Sequence, residues 1–474
     1  QRVEGITGMA KKDTSDFREH LSNVNVKTGR RVWIYPKIIR GLFYKYREWF
    51  SAALLLGLFA GPWIHVNGHP LMLFNVIDRQ FIILGIPFFP QDFYILALGL
   101  LSFIVFIMLF TSIFGRLWCG WACPQTVFME MVFRRIENWI EGSATQQKKL
   151  DEGPLNAEKI RKKVLKHSLF WVISFFIANT FLAYIIGSKA LVKIISEPVS
   201  QNLGGFISIV VFTSVFYLVF ARLREIVCVI ICPYGRLQGV LLDRNSVVVA
   251  YDHQRGEPRG KMVKGQVDAG KGDCVDCGLC IDVCPTGIDI RNGTQLECIA
   301  CTACIDACDS VMDKINRPRG LIRYASEAQI ADKKTFSYTA RMKAYTVFFA
   351  LLFGVFATLL ALRKDLQASV MRSPGTTFMR QPDGQVVNFF QLKLTNKTFD
   401  PMKVEVEMEG LKGNLQLVEE KLEVAGGEHK STGVIVRMAQ GDIKQNSNPF
   451  KLVVKSDGEV VNTVKLVFNG PVFD

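Results

Sequence analysis

The stretch Cys274-Val-Asp-Cys277-Gly-Leu-Cys280-Ile-Asp-Val-Cys284-Pro285 is followed by a near copy, Cys298-Ile-Ala-Cys301-Thr-Ala-Cys304-Ile-Asp-Ala-Cys308-Asp309. Both runs space their thiols by two, two and three residues. A cubane iron–sulfur cluster needs four thiolates around a compact core. Two-residue gaps let three successive sulfurs of one loop point inward, and the fourth ligand comes from the other run. The expected sets are therefore Cys274, Cys277, Cys280 and Cys308 around one [4Fe–4S] cluster, and Cys298, Cys301, Cys304 and Cys284 around a second. Two neighbouring clusters make a one-electron wire.

This is the spacing of bacterial two-cluster ferredoxins, but it fills only residues 270–314 of a 474-residue chain. The rest is apolar: 49% hydrophobic residues, 11% aromatic ones and 35 Phe, with positive mean hydropathy. A net charge of +14 invites a nucleic-acid reading. The basic residues cluster beside apolar runs, however, which points to a lipid bilayer and away from nucleic acid. Five runs reach the length that spans a bilayer: Trp49–Val66, Phe93–Phe114, Leu169–Gly187, Gly205–Ala221 and Ala344–Leu362. A sixth, Leu71–Phe89, is broken by Asp78, Arg79 and Pro87 and reads as lying across a membrane surface. Lys and Arg concentrate before the first run and between the second and third. By the positive-inside rule the N-terminus and the ferredoxin unit are cytoplasmic, and the C-terminal region is outside. All 12 cysteines fall between Cys119 and Cys308, on the side where thiols stay reduced.

The expected fold is thus a mainly α membrane protein with five transmembrane helices, an inserted dicluster ferredoxin-like domain and a C-terminal all-β immunoglobulin-like sandwich. Residues 1–40 read as a flexible cytoplasmic tail. The membrane domain is 41–233, the cytoplasmic domain 234–342, the fifth span 343–363 and the sandwich 380–474. The sandwich rests on alternating stretches at Val386–Thr395, Met402–Met408, Leu415–Val424, Gly433–Met438, Phe450–Val454 and Val460–Phe468, separated by Gly, Asn and Asp. It carries only His429 and reads as a docking or stabilising module.

A second cysteine pattern echoes within the membrane domain. Cys119-Gly-Trp-Ala-Cys123-Pro124 follows the second span, and Cys228-Val-Ile-Ile-Cys232-Pro233 follows the fourth, which suggests a pseudo-symmetric core. Proline suits the first position of a helix. Cys123 and Cys232 are then expected at helix N-termini, where the dipole favours thiolate. A helix from Pro124, with Phe128, Val132, Ile136 and Ile140 on one face, is expected in the membrane interface. Four thiols together could hold a soft metal, Cu(I), Zn or iron–sulfur, or cycle between dithiol and disulfide. His65 and His69, Met108, Met129 and Met131 are weaker metal candidates, for which loop and packing roles are favoured. His167 reads as a surface cap. No Gly-rich dinucleotide loop follows a strand, so no NAD or flavin domain is expected.

The segments Gly115-Arg-Leu-Trp-Cys119-Gly-Trp-Ala-Cys123-Pro-Gln-Thr-Val-Phe128 and Cys232-Pro-Tyr-Gly-Arg-Leu-Gln238, with the spans, the ferredoxin loops and the terminal sandwich, resemble the FixG/RdxA/CcoG cytochrome c oxidase accessory proteins. The double membrane motif is also similar to NapH- and NosR-like electron carriers, for which a quinol dehydrogenase role would be the alternative. Asp309 departs from the pattern, standing where proline would follow Cys308. The resemblance implies reduction of Cu(II) to Cu(I) during assembly of a cbb3-type oxidase, with Cys119, Cys123, Cys228 and Cys232 as copper-binding or relay residues. It implies copper, oxidase subunits and a copper chaperone or transporter as partners, and leaves the electron donor open. A purely non-enzymatic assembly scaffold is the third reading.

Overall fold

The computed structural model describes residues 31–66, 68–76, 80–89, 92–261, 270–375, 377–382, 384–419, 422–443, 445–456 and 458–471. The chain divides into two compact units, residues 1–65 with 100–353 and residues 66–99 with 354–474.

Four described helices are long and apolar enough to cross a membrane: Phe93–Phe114, Ala157–Ile186, Leu203–Leu223 and Ala340–Ala361. The expected first span is a helix at Leu42–Ala60. Lys45, Arg47 and Glu48 lie in its first two turns, which leaves Trp49–Ala60, about 18 Å of uncharged helix at 1.5 Å per residue. The helix ends before Val66 because the chain tightens into a 3₁₀ turn at Gly61–Trp63, with Pro62 inside it. The third span begins earlier than the apolar run that marked it. The Asn156 side chain accepts from the Lys159 N–H at 2.8 Å and caps the helix, and Glu158 pairs with Lys162 one turn on.

The helix after Pro124 runs through Glu141 with a π-helical middle at Phe128–Phe133. It does not lie with an apolar face in lipid. Phe128, Met129, Met131 and Phe133 are buried, and Phe128 and Phe133 pack in a core with Phe170, Ile177 and Phe220. Val132 and Ile136, on the face expected in lipid, pack against the same core.

The expected tail is also corrected. Residues 1–30 lie outside the described residues, but 31–40 are anchored. The Lys37 N–H bonds the Asp282 carbonyl at 2.8 Å, Lys37 Nζ meets Asp282 at 2.6 Å, and the Tyr35 hydroxyl donates to Asp151 at 2.6 Å.

In the second unit, the apolar stretch 71–89 is a three-stranded antiparallel sheet, Met72–Asn75, Gln80–Ile83 and Ile86–Phe88. Leu84 and Gly85, both at positive φ, make the two-residue turn of its second hairpin. Asp78 and Arg79 lie outside the described residues. The C-terminal sandwich has two antiparallel sheets. One orders Asn414–Leu417, His429–Ala439, Gln385–Asn396 and Leu366–Arg372, with Met379–Arg380 on the same central strand. The other orders Leu422–Val424, Met402–Glu409, Ser447–Ser456 and Glu459–Asn469. Its first strand starts ahead of the stretch the alternation marked. Val386, Phe390, Leu392, Leu394, Val434 and Val436 fill the core between the sheets.

Candidate iron–sulfur and thiol centre

The two ferredoxin loops share one backbone trick. Two residues past the first cysteine, Asp276 (φ 51°) and Ala300 (φ 54°) are left-handed; four residues past it, Gly278 (φ 70°) and Thr302 (φ 64°) are left-handed again. Each reversal turns the chain around its own cysteines, so the sulfurs converge. Backbone N–H groups follow them inward: Ala300 donates to the Cys298 sulfur and Ala303 to the Cys301 sulfur.

Two cavities result. One is lined by Cys274, Cys277, Cys280 and Cys308. The other is lined by Cys284, Cys298, Cys301 and Cys304, with Cys280 reaching both. This is the crossed grouping that spacing anticipates. Among the described residues no three His, Cys, Asp or Glu side chains close on one point as a lone metal ion requires. The thiols ring volumes instead, and four soft sulfur donors around a dry, apolar cage fit a [4Fe–4S] cluster. Burial pushes Cys280, Cys298 and Cys308 up to about 12 and Cys301 up to about 11 as free thiols.

Asp309 explains itself here. Pro285 stops the first loop's helix at Leu279–Asp282, whereas the second loop's helix runs from Ala303 to Lys314. Asp309 sits inside that helix and accepts the Gly320 N–H at 2.9 Å.

The membrane-face cysteines come together as the echo suggested. Cys123 and Cys232 are both N-caps, each followed by proline at the first helical position. Cys119, Cys123, Cys228 and Cys232 lie within electrostatic reach of one another. They do not form a closed cage for one metal ion. The expected thiolate character of Cys123 is overturned. The Gln125 and Thr126 N–H groups do point at its sulfur, but burial outweighs them and raises its pKa. Burial likewise pushes Cys119 up to about 11, against the pull of Arg116, and Cys228 up to about 12.

This thiol group abuts the second ferredoxin loop. Cys119 packs with Ile299 and Cys301, and Cys228 and Tyr234 border the same cluster. A Cβ on Gly120 would stand 2.5 Å from the Ile299 carbonyl oxygen and 2.7 Å from the Ala300 carbonyl, so only glycine allows this approach. The Trp121 indole N–H donates to the Tyr324 hydroxyl at 3.1 Å, and Arg47 holds the Cys301 carbonyl at 2.8 Å. Cys119 donates to Gln238 Oε1 at 3.0 Å, and Arg116 donates to the same oxygen at 3.1 Å.

Sequence reading missed a buried ion-pair network beside the thiols. Arg224 grips Glu137 with two bonds of 3.0 and 2.7 Å. Arg134 pairs with Glu225, and Lys166 reaches Glu141 at 2.9 Å. Arg134, Arg224, Glu137, Glu141, Glu225 and Lys166 are all buried. The one available signal was Arg134, Glu137 and Glu141 at helical spacing. The weaker metal candidates are engaged elsewhere. His65 Nδ1 meets the Trp63 carbonyl at 2.9 Å, and His69 stacks on Phe399 at 3.7 Å. His167 is half-buried against the Tyr217 hydroxyl at 2.9 Å rather than capping a surface.

Apolar helices, two thiol-lined cages and an adjoining thiol cluster define a membrane-associated iron–sulfur electron-transfer protein. Family models agree: a 4Fe-4S dicluster domain matches residues 223–327, a 4Fe-4S binding domain matches 96–142, and the IG-like fold at the C-terminal of FixG matches 356–471. The chain is 34% identical over 432 residues to the nitrogen fixation protein FixG of Rhizobium meliloti, covering 81% of this chain and 80% of that one. It is 35% identical to protein RdxA of Cereibacter sphaeroides, covering 81% and 83%, and 33% identical to its RdxB, covering 78% and 80%. The chain belongs to the FixG family. A crystal structure of a FixG-related protein from Vibrio parahaemolyticus matches 23% of this chain and 97% of its own, at 17% identity and a TM-score of 0.21.

Proposed function

We propose that this chain reduces Cu(II) to Cu(I) for assembly of a cbb3-type oxidase. Electrons pass from two [4Fe–4S] clusters, held by the crossed cysteine sets, to copper at Cys119, Cys123, Cys228 and Cys232. One observation carries the reading: Cys119 packs directly on the loop that holds Cys301, with Gly120 shaved to let it. An electron leaving the second cluster therefore meets thiols first. Four-thiolate clusters often have low potentials, which favours transfer to Cu(II), and soft sulfur favours the Cu(I) product. Copper binding would displace the protons that burial keeps on Cys119, Cys123 and Cys228. The product passes to a chaperone or transporter with competing ligands, and the sandwich docks oxidase subunits.

The membrane topology belongs to the same proposal. The Lys37, Phe43, Tyr44 and Arg47 contacts with Asp282, Asp306 and Cys301 keep the chain before the first helix on the ferredoxin side. The intervening helices must then cross an even number of times, which supports counting Leu42–Ala60 as a fifth, short span. In the other unit, Asp92 pairs with Arg363 and Lys397 at 2.8 and 2.5 Å. That keeps the 66–92 segment with the sandwich, as five crossings require, and supports a periplasmic sandwich in a bacterial inner membrane.

The test is a Cys119→Ala, Cys232→Ala double variant, dithionite-reduced and anaerobic, with Cu(I) trapped by a chelator. We expect intact cluster spectra and copper reduction cut to the rate of nonspecific oxidation. Unchanged turnover would remove the thiols from the role. Loss of an iron–sulfur signal would instead assign them to a cluster, the reading that the 4Fe-4S match to residues 96–142 favours.

A further inference from the structure

The second ferredoxin loop, the one against the thiol group, is flanked by two buried arginines, Arg47 and Arg116. Arg47 comes from the Leu42–Ala60 helix and donates to the Cys301 carbonyl at 2.8 Å. Arg116 stands just ahead of the first membrane-face motif. It donates to the Leu296 carbonyl, two residues before Cys298, and to Gln238 Oε1 at 3.1 Å. Gly235 of the second motif makes room for it, since a Cβ there would stand 2.8 Å from Arg116 Nη2.

Among the described residues neither guanidinium has a carboxylate within ion-pair distance; their partners are carbonyl and amide oxygens. A buried cation is costly unless an anion compensates it. The thiolates of the adjoining cage are that anion. Arg47 pulls the Cys301 thiol toward its charged form, and Arg116 does the same to Cys298.

The first cage is built differently. Its near cation, Arg291, is already paired with Asp276 at 2.5 Å and Asp289 at 2.8 Å. Asp289 opposes charge on Cys280, and Asp309 opposes it on Cys308. Two other carboxylates do not reverse the contrast. Asp306 lies between Cys304 and Cys308, one ligand from each set, and accepts the Phe43 and Tyr44 N–H groups at 3.1 and 2.7 Å. Glu130 acts on Cys301, but Arg134 pairs with it at 3.3 Å. Water at the exposed Cys277 favours added charge on the first cage. Two full charges inside the protein outweigh it, because interior charges are weakly screened.

We propose that Arg47 and Arg116 make the second cage the higher-potential end of the wire, so that the electron rests beside the thiols. One electron leaves the first cluster and enters the second, with no bond changed and no proton moved. Net charge is among the levers that set such potentials. Arg116 also acts on Cys119, Cys123 and Cys228, so its charge spans the cage and the thiols that follow it. The proposal rests on the two clusters of the proposed function and not on copper.

The test is an anaerobic potentiometric titration of the full-length, cluster-loaded protein in detergent, with dithionite as reductant and EPR as readout. Cys277→Ser shifts or removes the first cluster's signal and so identifies it. In wild type we expect the other cluster to reduce first. Arg47→Gln and Arg116→Gln should each cut that cluster's ratio of reduced to oxidised form about tenfold at a fixed poise, which is about 59 mV for one electron. The first cluster should move much less. Arg47→Lys and Arg116→Lys keep the charge and should restore most of the ratio, which a merely structural role would not predict. The proposal fails if the first cluster reduces first, if the Gln variants leave the ratio unchanged, or if Lys and Gln behave alike. The wild-type order decides even where a Gln variant does not load. Wild type lacking two cluster signals would sink the cluster reading itself, whereas two ordered signals without copper reduction would sink only the cupric one.

Discussion

Four residues ahead of its first cysteine, one membrane-face motif carries Gly115 at φ 58° and the other carries Arg224 at φ 51°. Both residues close a helix that comes out of the membrane, and both start the turn that presents a Cys-x-x-x-Cys-Pro segment. The second cysteines then match closely, Cys123 at φ −63°, ψ 124° and Cys232 at φ −70°, ψ 111°. The means are opposite. At Gly115 a Cβ would stand 2.9 Å from the Val247 carbonyl oxygen and 2.9 Å from Val248, so the turn exists because there is no side chain. At Arg224 a long side chain is carried at a similar positive φ, gripped by Glu137, stacked over Trp33 at 4.9 Å, with its carbonyl held by Gln125 at 3.2 Å. Strain of that kind persists where the surroundings over-determine it. Duplicated geometry thus does not need duplicated residues; it needs equal constraint.

The comparison breaks first, and hardest, at Arg224. Arg224→Ala leaves Glu137 buried with less compensation and should cost about 3–5 kcal/mol, read as a large drop in thermal unfolding temperature in detergent. Its pH dependence follows from the carboxyl. Burial raises the Glu137 pKa, but Arg224 and Lys166 more than reverse this and hold it below the ordinary carboxylate value of 4.5. A depressed acid contributes stability above its unfolded pKa and loses it as pH falls through the lower folded value. Wild type should therefore hold this contribution across pH 5–8. In Arg224→Ala that support is gone, so the deficit should be smaller at pH 5 than at pH 8. A deficit independent of pH would mean the guanidinium matters for packing and not for charge.

Gly115→Ala should come next, at about 2–4 kcal/mol, from left-handed strain of about 1–2 kcal/mol plus the clash with Val247 and Val248. A cost near zero would show that this half is held from elsewhere and that its glycine is incidental. Gly120→Ala should cost about 1–3 kcal/mol by overpacking. Its sharper readout is kinetic: both clusters should persist while electron delivery to the thiols slows, because the new methyl pushes Cys119 off the Ile299–Ala300 backbone. Unslowed delivery would remove that contact from the electron path.

These constraints mark how far the sequence could be read. Cysteine spacing gave the crossed cage sets because ligand geometry is local, and each loop turns within seven residues. Proline after Cys123 and Cys232 gave the N-caps for the same reason. The thiol state of Cys123 was not legible, since burial is a tertiary property and here exceeds the pull of two N–H groups. Nor was the π-helical burial of Phe128–Phe133, where apolar residues at helical spacing read equally well as a lipid face. The Arg134, Glu137 and Arg224 network was hidden because its partners are some ninety residues apart, as Arg224 with Glu137 shows. The sheet at 72–88 was hidden by its apolar content, which outweighed the Leu84–Gly85 turn.

The ferredoxin loops repeat the contrast in milder form and supply its control. Gly278 and Thr302 hold the same left-handed position, one without a side chain and one with a hydroxyl donating to the Cys301 carbonyl at 2.6 Å. A Cβ on Gly278 would meet nothing within 4 Å, unlike one on Gly115. Gly278→Ala should therefore cost only the backbone strain, about 1–2 kcal/mol, with both cluster signals retained. Measured beside Gly115→Ala, it separates conformation from crowding. If the two variants cost the same, the Val247–Val248 contact contributes nothing, and what distinguishes Gly115 from Arg224 reduces to backbone freedom alone. If Gly278→Ala is much the milder, the first motif is fixed by the wall behind its glycine, as the second is fixed by the charges around its arginine.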